Sequence, residues 1–256
     1  MRSPISKGYY GSLFFDFILQ DKLADAVIIL PGFPSNNDFS GLIHHFYSKG
    51  YHVFVPRYRG TYQSHGKFLG KNPVDDLADF IDKMDTKKAK DLWDGKTKDF
   101  KLGKKIVLAD SFAGAIACGL AAKHSGRLSH LMLAAPIWDF QNYNSDGKEK
   151  DIEAMTEFVR KSYKNCYRFK FKSMKKALSK FPELKPEFYA PRLKLPILIM
   201  HDPNNHSVSF KNTQEMMKKI AKVTLLEHRL GHHLTEDLLS VHWQDIDKFI
   251  KINYLG

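Results

Sequence analysis

The stretch KKIVLADSFAGAIACGLAA, residues 104–122, decides the fold of this chain. Four apolar residues indicate the end of a buried strand, a polar pair ending in Ser111 follows, and small residues then recur at helical spacing. In a sharp strand–turn–helix connection the serine hydroxyl stands clear of the sheet, and its neighbours must be small, as Ala109, Ala113 and Gly114 are. The stretch predicts Ser111 as a nucleophile, with a serine that caps an ordinary helix as the alternative.

Strands and helices alternate on both sides of this stretch. We predict strands at 13–19, 26–30, 51–56, 105–109, 129–136, 195–200 and 222–227, and helices at 39–50, 74–84, 111–123, 210–221 and 235–252. The apolar runs are continuous, which is typical of parallel strands buried on both faces. The pattern predicts an α/β fold with a mostly parallel central sheet and helices on both faces. Ligands bind at the carboxyl ends of such strands, so chemistry is expected there.

One segment breaks this alternation. Residues 139–194 contain no clear strand, and we predict that they form a helical cap, or lid, over a core made of 1–138 and 195–256. Apolar residues at steps of three or four over 163–181 predict one helix face. Four basic residues are predicted on the adjacent face: Lys164, Arg168, Lys172 and Lys176.

The chain is strongly basic. Its 40 Lys and Arg residues exceed its 28 Asp and Glu residues, which gives a net charge of +12. Residues 141–195 alone contain 14 basic and 7 acidic residues. A basic surface favours acidic partners, so the cap is a candidate contact for an anionic surface such as a lipid membrane. No nucleic-acid motif is present, and no specific nucleic-acid partner is expected.

The remaining composition concerns the compartment of the protein. Cys118 and Cys166 form neither a CxxC pair nor a zinc-ligand spacing, so neither a disulfide framework nor a structural metal site is expected. The N-terminus lacks a signal-peptide pattern, and no apolar run approaches the ~20 residues that span a bilayer. We expect a soluble, cytoplasmic protein with no transmembrane segment.

Four more segments complete a known pattern. They are VIILPGFPSNN (27–37), KGYHVFVPRYRGTYQSHGKF (49–68), PILIMHDPNNHSV (196–208) and LLEHRLGHHLTED (225–237). Together with the serine stretch they resemble, in order, the oxyanion loop, the P-x-x-R-G segment, the nucleophile turn, the acid loop and the histidine loop of the α/β-hydrolase family. The family's G-x-S-x-G carries alanine here at both glycine positions.

The resemblance implies a role for particular residues. Ser111 would be the nucleophile, and the backbone N–H groups of Phe33 and Phe112 would form the oxyanion hole. His232, which follows Gly231, would be the base, because the neighbouring His233 lies one residue away from the family's position. His228 and His232 could pair on a metal, but the intervening glycine and the lack of a third ligand argue against it. No metal and no cofactor are expected.

The identity of the acid stays open. The family's H-G-x-x-D overlays residues 201–205, so the acid position holds Asn205, and an amide cannot offset the charge of an imidazolium. Asp202 from a shifted loop ranks first, and Asp139 after the preceding strand is an alternative, although it could instead cap the first helix of the insertion. With Asn205 in that role, catalysis would be weak or lost. The turn makes Ser111 rather than Asp110 the nucleophile, so carbon–halogen and epoxide chemistry are not expected.

The sequence thus predicts a serine hydrolase acting on a small-molecule acyl substrate. An ester, a thioester or a small amide would be cleaved through an acyl-enzyme. The alternative is a weakly active or inactive protein of the same fold that uses its basic cap to contact an anionic partner.

Overall fold

The computed structural model describes residues 4–142, 151–230 and 235–251. In chain order its elements are β1 (Ser6–Tyr10), β2 (Leu13–Ile18), β3 (Ala24–Leu30), α1 (Ser40–Ser48), β4 (His52–Pro56), α2 (Pro73–Asp85), β5 (Lys88–Lys90), β6 (Thr97–Asp99), β7 (Leu102–Asp110), α3 (Ala113–Lys123), β8 (His130–Ala134), α4 (Ile152–Ser162), α5 (Met174–Leu178), α6 (Pro186–Tyr189), β9 (Ile197–His201), α7 (Phe210–Met217), β10 (Val223–Glu227) and α8 (Thr235–Lys251). Short 3₁₀ turns lie at Lys164–Cys166, Pro182–Leu184 and Ala190–Arg192.

Eight strands form one sheet in the order β1-β2-β4-β3-β7-β8-β9-β10. β2 runs antiparallel to β1 and β4, and every neighbouring pair from β4 to β10 is parallel. Strands β4, β8 and β9 are buried along their whole length, as their continuous apolar sequences predict. The predicted α/β fold with a mostly parallel sheet is confirmed, and β7 lies near its centre.

The sheet is covered on both faces. Helices α2 and α3 pack on one face, where Phe80 and Ile116 belong to a large apolar core. Helices α1 and α8 cover the other face through residues such as Phe46 and Ile246. No helix in the described ranges is long and apolar enough to cross a bilayer.

The segment from 151 to 194, here called the cap segment, packs with the first of these cores. Its Val159 and Met174 are fully buried and belong to the same apolar cluster as Ile116 of α3. The cap segment therefore shares a core with the sheet and has none of its own among the described residues.

The single helix face predicted over 163–181 is wrong. The chain leaves α4, makes a 3₁₀ turn, runs extended through Tyr167 and re-enters a helix only at Met174. Tyr167 and Phe169 instead form isolated β-bridges with Thr61 and Phe68. Pairing with a distant loop satisfies the backbone here, and a helical spacing of side chains does not reveal such long-range contacts. The predicted basic face over 164–176 is wrong for the same reason.

Arg168, which was predicted on the basic face, instead contacts the loop after β4. Its guanidinium points inward and donates to the carbonyl oxygens of Tyr62 at 2.9 Å, Gly66 at 3.2 Å and Ser64. Its own N–H donates to the Gly60 carbonyl at 2.8 Å. Arg168 therefore fastens the cap segment to the loop that follows β4.

Candidate active site

Ser111 lies at the carboxyl end of β7 with φ of 46°, in the left-handed region that non-glycine residues rarely adopt. Its N–H donates to the Ala134 carbonyl at 2.9 Å, and its carbonyl accepts from the Ile137 N–H at 2.9 Å. Both partners come from the end of β8 and its following loop, so the strained turn is held from the neighbouring strand. Ser111 is half-buried.

Ser111 is not the cap of the next helix. Helix α3 begins at Ala113, its N-cap residue is Phe112, and no side chain donates or accepts a capping hydrogen bond there. The interpretation of Ser111 as an ordinary helix cap is therefore wrong, and so is the prediction that the helix starts at Ser111.

The residues around the turn are small because the packing is close. Ala109 and Ala113 are fully buried. A Cβ atom added to Gly114 would lie 2.4 Å from the Cβ of Pro136, so only glycine lets α3 approach the loop after β8 at this point. Ala109 and Ala113 occupy the two glycine positions of the resembled motif. Gly114, the next residue, is the position at which the packing requires glycine.

The loop after β3 is fixed next to Ser111. Tyr58 donates through its hydroxyl to the Pro31 carbonyl at 3.0 Å, and the Gly32 N–H donates to the Asp110 carboxylate. A Cβ on Gly32 would lie 2.8 Å from Asp110 Oδ2, so glycine is needed here as well. These contacts fix the backbone of Pro31 and Gly32, the two residues before Phe33.

The far side of the same loop is held by aromatic hydroxyls. The Ser35 N–H donates to the hydroxyl of Tyr167 in the cap segment at 3.0 Å, and the hydroxyl of Tyr62 donates to the Ser35 carbonyl. The cap segment thus fixes one end of the loop that carries Phe33.

Phe33 and Phe112 lie side by side, with ring centroids 5.4 Å apart. Within the described ranges, neither of their backbone N–H groups donates a hydrogen bond to the protein. Two backbone donors flanking the serine turn can hold an oxyanion, which is the role that the resemblance implies for them.

Aromatic rings form the wall around these donors. Phe33 stacks on Phe68 at 5.5 Å and meets Tyr167 and Phe169 edge-on at 5.2 and 6.4 Å. Phe68 is placed by Gly60, whose φ is 73° and where any Cβ would lie 2.0 Å from the Phe68 nitrogen. The wall is apolar and suits an acyl group better than a charged one.

Asp110 is a half-buried carboxyl beside the serine. Burial raises its pKa to about 7, although the hydrogen bond from the Gly32 N–H acts in the opposite direction. Its Oδ1 atom has no hydrogen-bond partner among the described residues. A cavity of about 590 Å³ borders Asp110 and is also lined by Asp38 and Glu236.

The three candidate acids lie in different surroundings. Asp202 is fully buried directly after β9, and its Oδ1 accepts from the Asn204 N–H at 2.8 Å. Asn205 is buried in the same turn, with Oδ1 accepting from the N–H groups of Ser207 and Val208 at 2.8 and 3.0 Å. The turn thus brings Asp202 and Asn205 together.

Asp139 lies apart from that turn in the sequence and is bound locally. It accepts from the Gln141 N–H at 2.8 Å and from the Asn142 side chain at 2.8 Å. The first helix described in the insertion begins at Ile152 and has Asp151 as its N-cap residue. The alternative in which Asp139 caps that helix is therefore wrong.

The predicted base falls outside the described residues, as do Gly231 and His233. The structure instead places His228, which sequence reasoning had considered only as a metal ligand, with its Nδ1 atom 3.9 Å from Asp202 Oδ2. The register of the two strands explains this proximity. Glu227 of β10 is paired with His201 of β9, so the residues that follow them, His228 and Asp202, are neighbours. The described residues contain no cluster of three or more potential metal ligands.

The strand order and the left-handed serine turn between β7 and α3 define an α/β-hydrolase architecture. A family model described as alpha/beta hydrolase fold matches residues 25–220, and the chain belongs to this family. No curated protein matches the chain.

Solved structures resemble the chain over nearly its whole length. DcsB, solved with a substrate analogue, has a TM-score of 0.72 at 15% identity, covering 97% of this chain and 98% of its own. The esterase Pf2001 of Pyrococcus furiosus has a TM-score of 0.67 at 15% identity, covering 97% and 89%. An esterase of Exiguobacterium antarcticum has a TM-score of 0.64 at 15% identity, covering 97% and 100%. At such identities the likeness shows the fold alone.

Proposed function

We propose that this protein is a serine hydrolase that cleaves a carboxylic ester, thioester or small amide through an acyl-enzyme. The observation that carries the proposal is the left-handed backbone of Ser111 in the turn between β7 and α3, because backbone strain clusters at functional sites and this turn is where a nucleophile is presented in such folds. Membership of a hydrolase-fold family and the esterases among its structural neighbours support the same reading.

The proposed reaction has two halves. The Ser111 hydroxyl attacks the carbonyl carbon of the substrate while His232 takes its proton, and the oxyanion accepts from the N–H groups of Phe33 and Phe112. The tetrahedral intermediate collapses, the leaving group departs with the proton from His232, and Ser111 carries the acyl group. Water, deprotonated by the same base, then releases the acid. The role of His232 comes from the family resemblance.

A fluorophosphonate probe tests the nucleophile and the base. We expect covalent labelling of the wild-type protein, no labelling of Ser111→Ala, and labelling slowed by about 10³ or more in His232→Ala, because an unassisted serine is a poor nucleophile. Ser162→Ala, an exposed serine of α4, is the matched control and should label like wild type. Labelling of Ser111→Ala at the wild-type rate would overturn the assignment.

Hydrolysis of p-nitrophenyl butyrate tests the acid. We expect Asp202→Asn to lower kcat by about 10²–10⁴, the cost of holding the base in the wrong tautomer. We expect Asn205→Asp to remain active, because two N–H groups already point at its Oδ1 and would receive a carboxylate. Wild-type turnover in Asp202→Asn would exclude Asp202, and loss of turnover in Asp139→Asn would transfer the role to that residue.

A protein that binds without catalysis is the second candidate. Asn205 at the family's acid position favours it, because an amide there leaves the base without its usual partner. A folded wild-type protein that never reacts with the fluorophosphonate probe would support this candidate over the hydrolase.

A further inference from the structure

The exposed residues of the cap segment are more often basic than acidic, with Glu157 and Glu187 as the exposed acids. Eight of its lysines are exposed, and within the described parts of the chain none of them forms an ion pair. They are Lys161, Lys164, Lys170, Lys172, Lys176, Lys180, Lys185 and Lys194. Charges left unpaired on one segment create a positive potential that attracts anionic surfaces.

An aromatic side chain stands among these charges. Phe158 of α4 is 51% exposed, whereas Ile152 and Val159 on the opposite side of the same helix are buried in the core. Lys161 follows Phe158 by three residues, so the two side chains share the outward face of α4. An exposed large apolar group on a segment with many exposed lysines is suited to a lipid interface, with the ring entering and the ammonium groups at the headgroups.

Phe158 is the outer end of a line of ring contacts that leads to the serine turn. Its ring lies 6.3 Å from Tyr163, which lies 5.8 Å from Tyr167. Tyr167 lies 5.2 Å from Phe33, which lies 5.4 Å from Phe112, the residue after the candidate nucleophile. The exposed ring of Phe158 is thus connected through packed rings to the residue that follows the candidate nucleophile.

We propose that the outward face of the cap segment docks on an anionic lipid surface, and that the substrate is a lipid acyl ester drawn from it. Lysines supply the attraction, since each lysine near an anionic leaflet contributes about fivefold in binding, and Phe158 supplies the insertion. The substrate class rests on the proposed hydrolase function, whereas docking does not require catalysis. The two parts can therefore fail separately.

Vesicle sedimentation of the full chain tests docking. We expect binding to vesicles of phosphatidylcholine with about 30% phosphatidylglycerol, and at least about tenfold weaker binding to phosphatidylcholine alone. Lys161→Glu/Lys164→Glu should weaken binding to the anionic vesicles at least about tenfold, and Phe158→Ser about threefold or more, because a phenyl ring contributes insertion energy. All three positions are exposed or at the surface, so folding should be retained, as circular dichroism will show.

The matched control is Lys211→Glu/Lys219→Glu, the same charge change at exposed lysines at and after α7, which should bind like wild type. Ser111→Ala should also bind like wild type, which separates docking from catalysis. Equal binding to both vesicle types, or equal weakening by the cap and control variants, would overturn the docking proposal. Unchanged binding of Phe158→Ser would reduce the contact to charge attraction and contradict insertion.

The substrate class is tested on the same vesicles. If docking holds, release of fatty acid from anionic vesicles should fall in Phe158→Ser in proportion to binding. Normal docking together with an active enzyme that releases no fatty acid would reject the lipid substrate and leave both docking and the hydrolase proposal in place.

Discussion

Next to the serine, burial disfavours the ionised form of the Asp110 carboxyl. Its carboxyl accepts from the Gly32 N–H and packs so closely against that residue that no side chain would fit there. A neutral acid keeps the hydrogen bond without placing a charge beside the proposed oxyanion donors. Because the pKa is raised to about 7, the charge of the carboxyl that holds the loop at Gly32 changes near neutral pH.

The stability of the protein should reflect this carboxyl. Its pKa in the folded protein, about 7, exceeds the unfolded value of about 3.9, so the folded state binds more protons between these values and stability falls as pH rises from about 4 to 7. Between pH 5 and pH 8 the wild type should lose about 1.3 kcal/mol of unfolding free energy, half of the value for a fully buried group because Asp110 is half-buried, and Asp110→Asn should lack this loss.

Denaturant unfolding at the two pH values measures this difference. Asp21→Asn, which removes an exposed carboxylate, is the matched control and should keep the pH dependence of the wild type. An Asp110→Asn variant with the wild-type pH dependence would show that Asp110 is ionised as easily in the folded as in the unfolded protein.

At this scale the sequence predicts one kind of feature well. The small residues around Ser111 are a local signature, and the structure places the serine in the strained turn they suggest. The proximity of His228 to Asp202 was not foreseen, because it depends on the register between two strands rather than on spacing along the chain. The position of His232 stays a prediction.

Among the elements, the cap segment depends most on a single side chain. Arg168 donates to three carbonyl groups of the loop after β4 and so joins two regions more than 100 residues apart. Removing the guanidinium in Arg168→Ala should lower the free energy of unfolding by about 2–3 kcal/mol, because hydrogen bonds from a charged donor to partly buried carbonyls are lost.

Hydrogen exchange should locate the effect. In Arg168→Ala we expect faster exchange of the amides in peptides covering 60–69 and 163–173, with the central strands unaffected. Arg192→Ala is the matched control, because that guanidinium stacks on Phe188 four residues earlier and donates to its carbonyl. Unchanged exchange at 60–69 would mean that the backbone bridges and the aromatic contacts hold the cap segment without the guanidinium.

Regular elements with strong apolar patterns were predictable, and weakly patterned ones were not. The seven predicted strands all exist, with ends displaced by up to three residues. Strand β1 and the hairpin of β5 and β6 were missed, since KAK and TKD carry no apolar alternation and are paired only through the fold. The chain from 163 to 173 was mispredicted because its partner is a distant loop.

On the scale of the whole molecule, the sequence predicts the buried strands better than the placement of surface charge. The presence of the buried strands follows from apolar runs that must be covered and was predictable, whereas their order in the sheet is a finding of the structure. The excess of positive charge constrains no backbone; the sequence locates much of it in residues 141–195, and the structure adds that eight lysines of the cap segment are exposed. The position of the candidate site at the carboxyl edge is the one that a parallel sheet predicts for a ligand.

The apolar core shared by Val159, Met174 and Ile116 limits how this protein can change over evolution. A segment with its own apolar core could be replaced as a unit without disturbing the packing of the rest of the protein. Here, changing a buried residue of the cap segment also changes the packing against α3, so substitutions in this segment require compensating substitutions in the shared core. Descendants with different preferences should therefore differ in ring sizes along the wall before they differ in the length of this segment.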